Sequence, residues 1–115
     1  MKHIVLSSLS LMLLGACASA QLPPEQLSSS EAAIRSAGEL GAEQVPQAAL
    51  HKKLAEDQLA QAKKLAADGD EERANLVLAR ASADAELAVA LVKEANAENA
   101  AAAAATDVRA IQGKN

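Results

Sequence analysis

The sequence predicts an all-α protein: a signal peptide, then a short helix and a long antiparallel helical hairpin, a three-helix arrangement. Three observations carry this. The chain is 50% hydrophobic but has no Phe, Tyr or Trp. Much of its apolar content is alanine, the best helix former and one that buries little area. Beyond residue 30 the apolar residues recur at helical spacing, and Pro46 and Gly69 punctuate them.

The N-terminus reads as a leader. Lys2 and His3 precede an uncharged run from Ile4 to Leu14 that only Ser7, Ser8 and Ser10 interrupt. That is the basic start and apolar core of a secretory signal. The run is about half the ~20 residues a membrane-spanning helix needs. It closes on Leu14, Gly15, Ala16 and Cys17, and Cys17 is the only cysteine. An exported protein with a single cysteine calls for an explanation. These four residues resemble the lipobox of bacterial lipoproteins, which implies cleavage after Ala16 and a diacylglyceryl group on the Cys17 sulfur. Two or more acyl chains hold a protein firmly on a bilayer. Ala18, where an aspartate would retain many lipoproteins in the inner membrane, implies the periplasmic face of the outer membrane. Ala18-Ser19-Ala20 offers a rival cut, which would free a soluble periplasmic chain from Gln21. Residues 1–16 are thus expected to be signal, and residues 17–29 a lipidated cysteine and flexible tether containing Pro23-Pro24 and Ser28-Ser29.

The helical domain is expected over residues 30–105. The first helix is predicted to start at Ser28, whose spacing to Glu31 fits a capping box with Leu27 as staple. It is expected to end near Gly41 or Ala42. Pro46 opens the second helix, since proline is tolerated in the first turn, and the pattern runs to about Ala67. Leu50, Leu54, Ala55, Leu59, Ala62, Leu65 and Ala66 fall in one half of its wheel, with lysines and acids opposite. Asp68-Gly69-Asp70 is a tight turn. Gly69 suits the left-handed position after a helix, and Asp70 suits an N-cap. The third helix is predicted from Glu71 into residues 100–105, with residues 106–115 frayed. It carries two apolar stripes. Ala74, Val77, Ala81, Ala85, Ala88, Val92 and Ala95 form one; Leu76, Ala83, Leu87, Ala90 and Leu91 form the other, almost opposite.

Composition excludes several functions. The formal charge of −4 becomes −5 once the leader takes away Lys2 and no acid. An acidic chain with no basic cluster and no aromatic side chain is a poor nucleic-acid binder and a poor ligand for anionic headgroups. Membrane attachment is expected through the N-terminal lipid instead. Self-association or an envelope protein partner is expected on the free apolar stripe.

The stretch from Leu50 to Leu91 also carries a resemblance. Ala67-Asp68-Gly69-Asp70-x-x-Arg73-Ala74, followed by Ala81-x-Ala83-Asp84-Ala85-Glu86-Leu87-Ala88, resembles an uncharacterised family of small bacterial envelope lipoproteins. With Gly41-Ala42 and Pro46 it covers about residues 30–97. The family's domain is one of unknown function, sometimes found before outer-membrane-protein-A-like peptidoglycan-binding domains. The resemblance implies a helical fold and an envelope location, with no activity attached. Aromatic residues that members often carry near the proline and in the turn are absent here.

No catalytic constellation emerges, and no enzyme activity, cofactor, metal or small-molecule substrate is inferred. His51 and Gln58 lie near the middle of the second helix's apolar face, where a polar contact to a partner or within the fold is expected. His51 has no ligand-spaced Cys or His beside it. Asp84 and Glu86, two residues apart on a helix, point about 200° apart and cannot share a substrate; Arg80 or water is the expected companion. Lys114 gives the alternative function. Small murein lipoproteins are alanine-rich helices joined to peptidoglycan through a C-terminal lysine, and the resemblance implies a peptidoglycan-linked spacer through Lys114. The breaks at Pro46 and Gly69 depart from their single coiled coil.

Overall fold

The computed structural model describes residues 20–114. They form three α-helices and no strand: α1 Pro24–Glu39, α2 Pro46–Ala67 and α3 Glu71–Gln112, with a 3-10 turn over Ala42–Gln44. The all-α, three-helix expectation is met.

Helix α1 begins four residues before the expected Ser28. Pro23 is the N-cap and Pro24 the first helical residue. The missing N–H of a proline costs nothing at that position, and its φ is already helical. Leu27 N–H then donates to the Pro23 carbonyl at 2.9 Å. Ser28 therefore sits inside the helix and caps nothing. Its hydroxyl, like those of Ser29 and Ser30, donates back to a carbonyl one turn earlier. The expected tether is helical from Pro24 onward. At the other end Gly41 takes φ +97° and donates to the Gly38 carbonyl at 3.0 Å, while Asn96 of α3 donates to the Leu40 carbonyl at 3.2 Å.

Helix α2 has the predicted bounds. It ends in a Schellman motif: Gly69, at φ +84°, donates to Ala66, and Asp70 N–H donates to the Leu65 carbonyl. Asp70 then caps α3, its carboxylate accepting from the Arg73 N–H at 3.2 Å. Glu71 and Glu72 complement the positive end of the helix dipole.

Helix α3 continues to Gln112, past the expected fraying at residue 106. No proline or glycine interrupts residues 98–112. The Thr106 hydroxyl is absorbed by the Ala102 carbonyl at 3.0 Å, so propensity carries the helix on.

The chain runs up, down and up, so α1 is parallel to α3 and both oppose α2. Two apolar clusters stack along the bundle. Leu59, Ala62, Val77, Leu78 and Ala81 form the one nearer the Gly69 turn, flanked by Leu22, Leu27 and Ile34. Ala37, Ala42, Ala48, Ala88 and Val92 form the other. The core is mostly alanine, and Leu78 and Val92 are its largest fully buried hydrophobic side chains. Small side chains let helix axes approach closely. That explains two corrections to the wheel of α2. Leu50 and Leu54, expected inside, are 57% and 37% exposed, while Ala48 is fully buried. Alanine takes the line of closest approach and the leucines stand beside it. The first stripe of α3 is buried as predicted, with Ala95 partly so; most of the second remains outside.

Beyond Asn96, α3 leaves its neighbours behind. Every residue from 97 to 114 is exposed, so residues 97–112 project about 24 Å past the bundle.

Candidate functional site

The described residues hold one cross-helix polar cluster involving a carboxylate on α3. It lies between the two apolar clusters. Asp84 of α3 faces α2, where His51 Nδ1 donates to its Oδ1 at 2.7 Å and Gln58 Nε2 donates to its Oδ2 at 2.8 Å. The side chains of His51 and Asp84 are 27% and 21% exposed. On the α1 side of α3, the Ser30 and Ser82 hydroxyls bond each other at 2.5 Å. The companion of Asp84 is therefore α2 and not the expected Arg80. The reason is the direction of its side chain: with Ala81, Ala85 and Ala88 buried, position 84 is turned towards α2.

The sequence placed His51 and Gln58 correctly on one face two turns apart, but not their shared acceptor. The signal was available, because Asp84 borders the buried stripe of α3. What it lacked was the register between α2 and α3. The short Asp68-Gly69-Asp70 turn sets that register by its length, and this cluster adds a polar layer to an otherwise alanine-lined seam.

The cluster holds no reactive geometry. Both carboxylate oxygens of Asp84 are engaged, and Gln58 Oε1 is buried without a partner. Glu86 points away from Asp84, as expected, onto a shallow recess with Ala32, Ala33, Ser36 and Val89. No group of three or more metal-ligating side chains occurs among the described residues. No described helix is long and apolar enough to cross a membrane. Most surface pairs lie within one helix or its flank, and one links α2 to α1. Lys52 bridges Glu43 and Glu56, Lys63 reaches Glu31, and Lys53 pairs with Asp57. The Glu56 and Glu43 carboxylates hold the Lys52 ammonium above its usual range. A backbone N–H at its own residue, and then Lys52, hold the Glu43 carboxyl low.

Of the remaining predicted residues, Lys114 is exposed just past the end of α3. Leu14, Gly15, Ala16 and Cys17 lie outside the described residues. Ala20, three positions after Cys17, is described: its N–H donates to the Ala66 carbonyl at 3.1 Å, at the C-terminal end of α2. The start of the described chain is thereby fastened beside the Gly69 turn.

The described residues form a helical protein with a polar cluster between α2 and α3 and an uncovered face along α3. The chain belongs to the family defined by a domain of unknown function (DUF4398), whose profile matches residues 25–104. The match takes in all but the first residue of α1, the whole hairpin and the first part of the overhang. No curated protein and no solved structure matches the chain.

Proposed function

We propose that this is a non-enzymatic, lipid-anchored protein of the bacterial cell envelope, held on the periplasmic face of the outer membrane and acting through the exposed face of its helical hairpin. The observation that carries the reading is the lipobox Leu14-Gly15-Ala16-Cys17 at the end of a signal-like run. One contact says which end of the bundle such an anchor would hold. The three residues from Cys17 to Ala20 span at most about 11 Å, and Ala20 is tied to α2 beside the turn. An anchored chain would thus hold that end of the bundle against the headgroups. The rival cut after Ala20 would remove the residue that makes this bond.

Labelling growing cells with an alkyne palmitate tests the anchor. Label on the wild-type protein, absent from Cys17→Ala, and recovery in the outer-membrane fraction are expected. An unlabelled protein released with the periplasmic contents sinks the proposal.

A second reading has one observation in its favour. Because α3 continues to Gln112, Lys114 stands at the far tip of the overhang, at the opposite end from Ala20. An upright, anchored chain would carry it towards the cell wall as a spacer. Digested sacculi should then yield a muropeptide on Lys114. A digest free of this chain removes the reading.

A further inference from the structure

Along α3 a second stripe remains uncovered. Leu76, Arg80, Ala83, Leu87, Ala90 and Glu94 follow in alternating steps of four and three. Ala97, Ala101, Ala104, Val108 and Ile111 carry the rhythm to the end. Every member is exposed, with Leu76 at 58% and Ile111 at 66%. Such spacing is the seam of a coiled coil. From Leu76 to Ala101 this exposed side gains nothing within the chain from its apolar positions, whereas a helix with a partner does.

We propose that this stripe docks a second copy of the chain, antiparallel and centred on Leu87. Charge decides the partner and its direction. Arg80 and Glu94 sit on the seam, each seven residues from Leu87, and both are exposed. Neither makes an ion pair within the chain among the described residues. An antiparallel copy sets Arg80 against Glu94 of the second copy, and twofold symmetry repeats the pair. A parallel copy would set arginine on arginine and glutamate on glutamate. The twofold sets Leu87 against Leu87 of the second copy, and the small Ala83 and Ala90 on either side let the axes come close.

The extent is adequate as well. Residues 71–103 overlap their counterparts over about 50 Å. A helix pair of that length buries on the order of 1,200 Å² in total, the lower bound of a stable specific interface. The two Gly69 turns then lie about 50 Å apart at opposite ends. An anchored pair would lie along the membrane, with both lipid-bearing ends beside the surface. The inference rests on the interaction role proposed above and names its partner. It does not depend on the lipid, so either can fail alone.

Sedimentation of the full mature chain from residue 17, carrying Cys17→Ser, tests the pairing. A monomer–dimer equilibrium is expected at low ionic strength. Arg80→Glu or Glu94→Arg alone should each weaken the dimer about tenfold, because two pairs become like-charged. The double swap should restore it to within about threefold of wild type. Leu87→Glu should leave only monomer. All three positions are exposed, so helicity by circular dichroism should not change and folding is controlled. A monomer at every concentration up to ~100 µM overturns the proposal. So does a dimer indifferent to the single swaps, one not restored by the double swap, or one that survives Leu87→Glu.

Discussion

Asp84→Ala removes the acceptor that His51 and Gln58 share, and its cost can be worked from the structure. A hydrogen bond to a charged group is worth about 1.5–3 kcal/mol when buried. The His51 and Asp84 side chains are 27% and 21% exposed, so water replaces part of that bond and about 1 kcal/mol remains. Gln58 fares worse. Its Oε1 is already buried without a partner, and losing Asp84 leaves the amide nitrogen unmatched too, at about 2 kcal/mol. The sum is about 3 kcal/mol. For a domain of this size each kcal/mol moves Tm by about 4–8 °C, so a fall of about 12–24 °C is expected. With no aromatic residue in the chain, far-UV circular dichroism during heating and in urea is the readout. Glu98→Ala, exposed on the overhang, is the reference and should stay within about 0.5 kcal/mol. A His51→Ala/Asp84→Ala cycle should give a coupling above about 0.5 kcal/mol. If Asp84→Ala costs no more than Glu98→Ala, or the cycle is additive, the polar layer does not hold α2 on α3 and the reasoning fails.

The other predictions are simpler to state. Leu78→Ala, at the largest fully buried side chain, should cost about 2–4 kcal/mol in urea unfolding, and a value under 1 would mean that the alanine core can collapse around the gap. Gly69→Ala at φ +84° should lose about 1–2 kcal/mol, whereas Gly113→Ala at φ −73° should be neutral; equal effects would deny the Schellman turn its role. Truncation after Ala97 should lower total ellipticity yet leave the urea midpoint of the dilute monomer within about 10%, because the overhang touches nothing in its own chain. Neither Glu43 nor Lys52 changes its contribution to stability between about pH 5 and pH 9. The Glu43 contribution is present above its ordinary value of 4.5 and is lost as pH falls through its lowered value. The Lys52 contribution is present below 10.5 and is lost as pH rises through its raised value. Both groups are near the surface, so each loss should be only a few degrees of Tm, checked by melting across the pH range.

Much of this architecture was legible because its punctuation is chemical. Pro46 and Gly69 fixed the ends of α2, since one lacks an N–H and the other alone accepts a positive φ without strain. The buried stripe of α3 followed from its period. The start of α1 was hidden by competing signals: Ser28 and Glu31 look like a cap, but Pro24 nucleates the helix a turn earlier. A hydrophobic count misreads the facing side of α2, because leucine outweighs alanine in it, while close packing puts alanine at the contact line and leaves Leu50 and Leu54 at its margin. The partners of Asp84 depend on the register between helices, which periodicity on separate helices does not supply. The end of α3 is hidden because an alanine run contains no stop signal.

The measurement that bears most directly on the account is the intact mass of the N-terminal peptide from a membrane fraction. A lipid-anchored chain gives a peptide starting at Cys17, with a diacylglyceryl group on the sulfur and an amide-linked acyl chain on the amine. A peptide starting at Gln21 without lipid would contradict it, and the outer-membrane anchor would fall with it.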